Sequence, residues 1–303
     1  LDGVRPLELP TDHPRTAGGT WRAASRTARL APEHRAKLDA LCRAEGATAF
    51  MGLVACWAAV LARFSGQDDI TIGTPVAGRT HAEVEPLIGC FINTLVLRAD
   101  TRDARSFRAL LRRTRTRALD AFAHQDVPFE LLVEHLQVAR DPSRNPIFQC
   151  LFTVEPEVGE ALSLGDARLS LLDGDVPETQ LDLALTVQPR DGGYALDLTW
   201  ATDLFDASTA SQLLTAFEAM VIAAVDTPDQ SLDDVALGSP AQRAEVLAWG
   251  TGASHPYADA TIHALVEAQA AATPDAMAVR FEGEALGYRE LVTRAWGIAH
   301  ALR

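Results

Sequence analysis

The chain has 303 residues, of which 48% are hydrophobic and 22% are charged. These fractions are ordinary for a folded globular protein and exclude a fibrous or intrinsically disordered chain. At about 150 residues per domain, the length allows one large domain or two smaller ones. The net charge is −14, divided into +3 over residues 1–150 and −17 over residues 151–303. A net charge of +3 over residues 1–150 is far below the positive charge of a nucleic-acid-binding surface, so no nucleic-acid partner is expected.

Targeting signals are also missing from the sequence. Residues 1–16 contain no apolar core of a signal peptide, and no uncharged stretch is long enough to span a bilayer. The four cysteines stand alone in apolar contexts, which indicates buried, reduced thiols. We therefore expect a cytoplasmic protein without a membrane partner. Because the chain begins without methionine and stops inside an apolar helical pattern, we also expect a fragment of a longer polypeptide.

The first half predicts helices and buried strands behind an extended connector over residues 1–20. In chain order, the predicted elements are a helix that begins at Pro32 and stops at Gly46, an apolar helix capped by Thr48 and running to Phe64, a strand at 69–78, a loop, a strand at 91–100, and an amphipathic helix at 104–123. Six arginines lie away from the apolar face of the last helix, and we interpret them as a solvated surface.

The second half continues with a short helix and then mainly strands. In chain order, the predicted elements are a helix from Pro128, a strand at 146–155, a strand from Ala167, a hairpin of strands 181–188 and 194–200 joined by residues 189–193, and a long helix capped by Asp206 that ends before Pro228. Residues 238–259 are rich in turn formers and predict a domain boundary, followed by a helix, a short hairpin turning at Gly283 and a final helix. Strands mixed with amphipathic helices indicate an α/β layered fold.

Catalytic and metal-binding signatures are scarce. None of the eight histidines is paired with a second ligand at metal spacing, and neither a G-x-S-x-G elbow nor a phosphate loop occurs, so no bound metal is expected. The run His124-Gln125-Asp126 could form a base oriented by a carboxylate, or could cap the junction between two helices. His255 and Asp259 match an acyltransferase spacing, but they lie in the turn-rich segment and we interpret the match as chance.

Four stretches carry a resemblance to a known family: IGCFINTLVLR (88–98), HQDVPFE (124–130), RDPSRNPIFQ (140–149) and ATDLFDAST (201–209). Together they resemble the later core motifs of the condensation domains of nonribosomal peptide synthetases. GTPVAGR (73–79) is similar to the segment that leads into the loop flooring the active-site tunnel, and ETQLDLALTV (178–187) resembles the stretch where one lobe reaches across to the other. The resemblance covers roughly residues 1–235 and implies a two-layer lobe like chloramphenicol acetyltransferase, with a mixed sheet and flanking helices.

A second resemblance follows. LVEAQAAATPDAMAVRFEGEALGYREL (265–291) resembles the opening of an adenylation domain, although Gly287 stands where that family usually has threonine. The implied domains are an inter-lobe connector at 1–20, the C-terminal lobe of a condensation domain at 21–237, a linker at 238–260, and a truncated adenylation domain at 261–303. Condensation before adenylation implies an elongation module. It favours a peptide-bond-forming domain over its epimerising and cyclising relatives.

The resemblance also implies a reaction and its partners. In the family, two lobes enclose a tunnel, and upstream and downstream peptidyl carrier proteins deliver thioesters on phosphopantetheine arms. Holding both arms in one tunnel brings the acceptor amine to the donor thioester. The H-H-x-x-x-D-G motif of the first lobe does not occur here, so we expect no catalytic residue in this chain and an inactive fragment. Further implied partners are the N-terminal lobe and the rest of the adenylation domain. No cofactor is expected on this chain, with ATP and magnesium binding only beyond Arg303.

The motif positions imply residues that face the tunnel, namely Gly78 and Arg79 at the loop entrance and Asn93 in the FINT strand. As a lone amide in an apolar strand, Asn93 must find hydrogen-bond partners in a substrate or in the backbone of a neighbouring loop. The other motif residues are expected to be structural, because arginine–carboxylate pairs and asparagine caps commonly fix loop corners. They are His124, Asp126, Arg140, Asp141, Arg144 and Asn145.

Two alternatives stay open. A stand-alone acyltransferase of the same superfold fits the pattern of strands and helices but lacks a credible catalytic histidine. A non-catalytic docking or scaffold segment would offer this lobe and linker as a platform for adenylation and carrier domains. An H-H-x-x-x-D-G motif upstream would favour the enzyme over both.

Overall fold

A six-stranded mixed sheet forms the centre of Leu1–Glu245, the first of two units into which the chain divides; the second is Val246–Arg303. The computed structural model describes residues 1–137, 141–156, 162–165, 167–169, 178–254 and 259–303. The strands of the first unit are β1 (Ala23–Leu30), β2 (Asp69–Val76), β3 (Asn93–Asp100), β4 (Cys150–Val154), β5 (Leu162–Leu164), β6 (Ala167–Leu169), β7 (Leu183–Arg190) and β8 (Gly193–Ala201). Strands β5 and β6 form a separate hairpin, and the others make the sheet in the order β1-β8-β7-β4-β2-β3.

Two neighbouring pairs of strands in this sheet are parallel. Strand β4 runs parallel to β7 on one side and to β2 on the other, with Cys150 opposite both Leu183 and Ile72. The remaining neighbours are antiparallel. The sheet is therefore mixed, as predicted from the sequence.

Helices cover the sheet unequally on its two faces. They are α1 (Pro32–Ala44), α2 (Ala49–Ser65), α3 (Phe107–Ala123), α4 (Phe129–Leu136) and α5 (Ala207–Asp226), while α6 (Pro240–Trp249) contains the boundary between the units. Alternate side chains of a strand point to opposite faces. Leu97 and Phe152 join the main core with α1, α2, α3 and α5, whereas Val96 packs with Phe148 and α4 on the opposite face. This arrangement confirms the α/β layered lobe.

The predicted N-cap residue caps α2 but not α5. Thr48 caps α2, as predicted, because its hydroxyl accepts a hydrogen bond from the Met51 amide at 3.3 Å. Asp206 precedes α5 but makes no cap hydrogen bond, contrary to the prediction. Asp12 takes this role, accepting from the Asp206 amide at 2.8 Å and from the Thr209 hydroxyl at 3.0 Å. The cap comes from a residue far away in the sequence.

Among the described helices, α5 is the single helix whose length and composition would allow it to cross a membrane. The bent pair of α1 and α2 passes the same test only if the two are counted as one span. Leu213, Phe217 and Val221 of α5 are buried in the main core. The apolar face of α5 is therefore used in packing against the sheet and its neighbouring helices.

One strand of the six-stranded sheet is absent from the sequence prediction, and one hairpin turn is shorter than predicted. Strand β1, which is rich in alanine, arginine and serine, has no apolar alternation, yet it forms the edge of the sheet beside β8. The hairpin of β7 and β8 turns at Asp191 and Gly192 alone, with φ angles of 51° and 77°. Asp-Gly with both φ angles positive is typical of a two-residue type I′ turn, so Pro189 and Arg190 belong to β7.

The second unit is small and has little interior. It contains α7 (Ile262–Ala272), the hairpin of β9 (Met277–Phe281) and β10 (Glu284–Gly287), and α8 (Tyr288–Ala301). Gly283 lies at the hairpin turn with a φ of 90°, as predicted. Among the described residues of this unit, Ala270 alone is buried. The segment 240–249, which the sequence predicts as turns, is helical.

Candidate functional site

The chain between β2 and β3 forms a loop, residues 77–92, whose two ends meet at Gly78. Gly78 has a φ of 63°, in the left-handed region that favours glycine. A Cβ atom at this position would lie 1.9 Å from the carbonyl oxygen of Phe91. The close approach of the two backbone segments therefore requires glycine here.

Arg79 holds the same loop together from inside. Its guanidinium lies over the ring of Phe91, 4.4 Å from the ring centroid. It donates hydrogen bonds to the carbonyl oxygen of Val84 and, at 3.2 Å each, to those of Glu85 and Gly89. The planar, multidentate guanidinium suits this task, which a lysine ammonium would perform poorly. A role for Arg79 towards a tunnel stays a prediction.

The loop 77–92, which the contacts of Gly78 and Arg79 hold in place and which we call the braced loop, presents apolar side chains to solvent. Leu87, Ile88 and Ile92 are 50%, 105% and 67% exposed. Leaving such a side chain in water instead of burying it costs about 1.5–3 kcal/mol. Three exposed aliphatic side chains on one loop make it a candidate contact surface.

Asn93, the first residue of β3, uses its whole amide within the chain. Its nitrogen donates to the carbonyl oxygens of Gln125 at 2.7 Å and Val127 at 2.8 Å. Its oxygen accepts from the amides of Thr94 at 2.9 Å and Phe129 at 3.2 Å. Asn93 therefore ties β3 to the segment before α4 and supplies an acceptor for the first turn of that helix.

His124 and Asp126 are exposed and make no hydrogen bond or ion pair with each other among the contacts of the described residues. His124 ends α3, and its Nδ1 lies 2.8 Å from the carbonyl oxygen of Asp120. Pro128 occupies the N-cap position of α4 and no side chain of that position caps the helix. The capping that the sequence assigns to Asp126 thus falls to Asn93, on another strand.

The motif residues Asp141 and Arg144 form a corner before β4, whereas the side-chain oxygen of Asn145 is buried without a hydrogen-bond partner among the described residues. Asp141 accepts from the amide and the hydroxyl of Ser143, at 2.9 and 2.6 Å, and these bonds lower the pKa of its carboxyl. Arg144 donates to both carboxylate oxygens of Glu8, at 2.6 and 3.0 Å, which lowers the pKa of Glu8. Arg140, the remaining member of this motif set, lies outside the described residues.

Gln149 is the motif residue that the sequence reasoning missed. It is 1% exposed, and its side-chain nitrogen donates to the carbonyl oxygen of Asn145 at 3.0 Å. Its side-chain oxygen accepts from the amide of Leu7 at 2.7 Å. A lone amide between Phe148 and Cys150 is the same signal that singled out Asn93, so the sequence contained the hint.

Metal ligands and acid–base pairs are sparse in the part of the chain that the structure describes. No group of three histidine, cysteine or acidic side chains there is placed to hold a metal ion. His13 lies 3.0 Å from a carboxylate oxygen of Asp206 at the start of α5, and both side chains are about half exposed, at 49% and 58%. His255, of the acyltransferase-like spacing, lies outside the described residues.

Comparisons with known proteins give one family and a consistent set of relatives. The family model described as "Condensation domain" matches residues 1–247. Surfactin synthase subunit 1 of Bacillus subtilis (strain 168) is 36% identical over 297 residues, covering 98% of this chain and 8% of that protein. Tyrocidine synthase 3 of Brevibacillus parabrevis is 33% identical over 305 residues, covering 100% of this chain and 5% of that protein. The chain thus spans less than a tenth of these relatives.

Solved structures show the same fold. The X-domain from teicoplanin biosynthesis superposes with a TM-score of 0.72 at 27% identity, covering 78% of this chain and 54% of that chain. A second match is holo-AB3403, described as a four-domain nonribosomal peptide synthetase bound to AMP and glycine. It gives a TM-score of 0.74 at 24% identity and covers 100% of this chain and 24% of that chain.

Proposed function

This chain belongs to the condensation-domain family, and we propose that it is the C-terminal lobe of a condensation domain in an elongation module of a nonribosomal peptide synthetase. In this proposal, the lobe forms one wall of a tunnel in which a carrier-bound amine attacks a carrier-bound thioester. A carbon–nitrogen bond forms and the carbon–sulfur bond breaks. The released thiolate stays on the donor's phosphopantetheine arm and becomes a thiol by taking up the proton that the amine loses, which is passed on by a base on the preceding lobe.

The observation that carries the proposal is the braced loop 77–92. Gly78 and Arg79 fix its backbone, and Leu87, Ile88 and Ile92 point outwards from it. An ordered loop that exposes aliphatic side chains is suited to packing against another protein surface. We infer that this surface is the N-terminal lobe, and that the loop closes one side of the tunnel between the lobes.

This chain's own contribution to the reaction is geometric. The reaction between two tethered thioesters is accelerated most by holding them within reach of each other, because orientation converts a bimolecular step into an effectively unimolecular one. The partners that we infer are the upstream and downstream peptidyl carrier proteins, with phosphopantetheine bound to them and not to this lobe. Without the preceding lobe, the chain is expected to form no amide bond.

We also propose that the second unit begins an adenylation domain. The matches to synthetases cover 98–100% of the chain and so extend past residue 247, where the family match ends. The second unit also leaves large apolar side chains in solvent, with Met277 62%, Phe281 71% and Trp296 58% exposed. These side chains would be covered by the rest of such a domain, where ATP and magnesium would bind.

The test compares the chain alone with the chain joined to its preceding lobe, each mixed with two loaded carrier proteins. We expect amide product only from the joined protein. Ile88→Asp should lower the rate of the joined protein at least tenfold. It should not change the melting temperature of the chain alone, because Ile88 is fully exposed there. Ile262→Asp, at an 83% exposed position of the second unit, is the matched control and should leave this rate unchanged. Amide formation by the chain alone, or an unaffected Ile88→Asp protein, would refute the proposal.

A further inference from the structure

The N-terminal segment, residues 1–16, packs along the lobe, and we call it the N-terminal strap. Leu7 is 2% exposed and belongs to the main core. Arg98 donates to the carbonyl oxygen of Asp2 at 2.8 Å, and the side-chain amide of Gln67 donates to that of Pro6 at 3.0 Å. The strap, which the sequence predicts as part of an extended connector, is therefore an integral part of the packed unit.

The first buried anchor of the strap is Gln149. The amide of Leu7 donates to its side-chain oxygen at 2.7 Å, in a contact that is buried. Because the Gln149 nitrogen donates to the carbonyl oxygen of Asn145, both ends of this side chain are engaged. Moving the strap away would leave a buried acceptor without a donor, which is unfavourable.

The second buried anchor is an ion pair between Arg15 and Asp182. Arg15 donates to both carboxylate oxygens of Asp182, one of them at 2.9 Å, and to the carbonyl oxygen of Ser143 at 3.0 Å. The side chains of Arg15 and Asp182 are 16% and 6% exposed. A carboxylate this deeply buried depends on its partner, because desolvation is costly without the opposite charge.

Both anchors stand on the rigid centre of the sheet. Gln149 directly precedes β4 and Asp182 directly precedes β7, which are adjacent parallel strands. The amide of Asp182 also donates to the carbonyl oxygen of Gln149 at 3.0 Å. Two buried contacts, at Leu7 and Arg15, therefore fix the position and the register of the strap against one end of the sheet. A slip of one residue would break both contacts at once.

We propose that Arg15, Asp182 and Gln149 are positioning residues that fix the orientation of the preceding lobe relative to this one. The inference rests on the proposed function, in which that lobe is joined to this one through the strap. Because the strap is bound by residues directly next to the first residues of β4 and β7, its exit direction is set by the sheet. The lobes then meet at a defined angle, and the two thioesters are held at a defined separation in the tunnel between them.

The experiment uses the two-lobed module, in which Cys90→Ser removes the exposed thiol of this lobe. One spin label is attached at Ser25→Cys, an exposed position of β1, and a second label is attached to the preceding lobe. Arg15→Ala and the conservative Arg15→Lys are compared with Arg29→Ala. The control residue Arg29 pairs with Asp191 on the surface, where the two side chains are 68% and 70% exposed. Interlobe distances, melting temperature, and kcat and KM for amide formation between loaded carriers are measured for each protein.

We expect a broader interlobe distance distribution for both Arg15 variants. We also expect kcat to fall at least tenfold for Arg15→Ala and about threefold for Arg15→Lys. The KM for each carrier protein should stay within twofold of the parent value. Arg29→Ala should match the parent in interlobe distances, kcat and KM. Unchanged distances in a folded Arg15→Lys protein would overturn the inference, even if its melting temperature fell. The interlobe distances can be measured without catalysis, so they test the role of Arg15 in lobe orientation independently of the proposed reaction. A parent module that forms no amide would instead contradict the proposed function.

Discussion

At the scale of single residues, the motif side chains mostly bond to the chain itself. Arg79 binds three loop carbonyls, and Asn93 satisfies two donors and two acceptors within the lobe. Arg144 binds the carboxylate of Glu8. Each of these polar groups replaces water with several fixed partners, which is how a buried or half-buried polar side chain specifies one loop conformation. The motifs therefore encode the shape of the surface that the loops present.

The substitution Gly78→Ala tests whether the motif residues fix the conformation of the loop 77–92. Alanine at a φ of 63° costs about 1 kcal/mol in backbone strain. The new Cβ would also lie 1.9 Å from the Phe91 carbonyl oxygen, so the loop ends must separate at a further cost of about 1–3 kcal/mol. We expect a lower free energy of unfolding in urea, and faster trypsin cleavage after Arg79 because the opened loop exposes that bond.

Gly66→Ala is the matched control for this prediction. Gly66 has a φ of 68° at the end of α2, and a Cβ there would meet no atom within 4 Å. It carries the same backbone strain without the collision, so only the loss of about 1 kcal/mol is expected, with cleavage after Arg79 unchanged. Equal losses for the two alanine variants would contradict the role assigned to the Phe91 contact.

At the scale of elements, periodic patterns predicted most of the fold. The apolar runs that became β2, β3, β7 and β8, and the amphipathic or apolar runs that became α1, α2, α3 and α5, stand where the sequence predicted them. Strand β1 was missed because it lies at an edge and its residues carry no alternation; its pairing with β8 stabilises it. Helix α6 was missed because Pro240 begins it and Gly250 follows it, and both residues also suit turns.

The contacts of the candidate site were less accessible to sequence reasoning. Residue types alone indicated that Asn93 must find partners, but the choice of Val127 and Phe129 depends on how α4 folds back on β3. In the same way, nothing near Arg15 in the sequence indicates Asp182, 167 residues away. Local patterns report the backbone conformation, whereas such pairings are set by tertiary packing between distant segments.

The substitution Asn93→Ala tests the connection between β3 and α4. It removes the acceptor for the Phe129 amide and both donors to the carbonyls of Gln125 and Val127. We expect the free energy of unfolding to fall by about 1–3 kcal/mol, because half-buried backbone groups lose their partners. Amide hydrogen exchange should become faster in α4, which has no side-chain cap from its own N-cap residue.

Ser106→Ala provides the comparison on a neighbouring helix. The hydroxyl of Ser106 accepts from the amide of Ala109 at 3.3 Å and so caps α3. Its removal should cost about 1 kcal/mol and should speed exchange in the first turn of α3 alone. If Asn93→Ala leaves exchange in α4 unchanged, or changes α3 instead, Asn93 is not the residue that stabilises the start of α4.

At the scale of the whole chain, the two units differ in how much they bury, and their tryptophans report that difference. Trp57 and Trp200 in the first unit are buried and Trp21 is 43% exposed, whereas Trp249 and Trp296 in the second are 75% and 58% exposed. A red shift of the fluorescence on unfolding therefore follows the first unit selectively. That unit also buries three free thiols, those of Cys42, Cys56 and Cys150.

These thiols make the stability of the first unit depend on alkaline pH. Burial raises the pKa of Cys42 to about 11 and raises the pKa of Cys56 and Cys150 well above the usual value near 9. Above pH 9 the unfolded thiols lose protons that the folded thiols keep, so the unfolded state is favoured as pH rises. Each thiol contributes a loss of up to about 1.4 kcal/mol per pH unit.

Urea unfolding under reducing conditions, followed by tryptophan fluorescence between pH 8 and pH 10, measures this dependence. Cys42→Ala removes one of the three buried thiols and should reduce the loss of unfolding free energy per pH unit by up to about a third, because burial also raises the pKa of Tyr194, which adds to that loss. Cys90→Ala is the control, because Cys90 is exposed and its substitution leaves the three buried thiols in place. The same pH slope in the parent and in Cys42→Ala would mean that the Cys42 thiol is not kept protonated by burial. A reduced slope in Cys90→Ala would point to the loop 77–92 instead of the core.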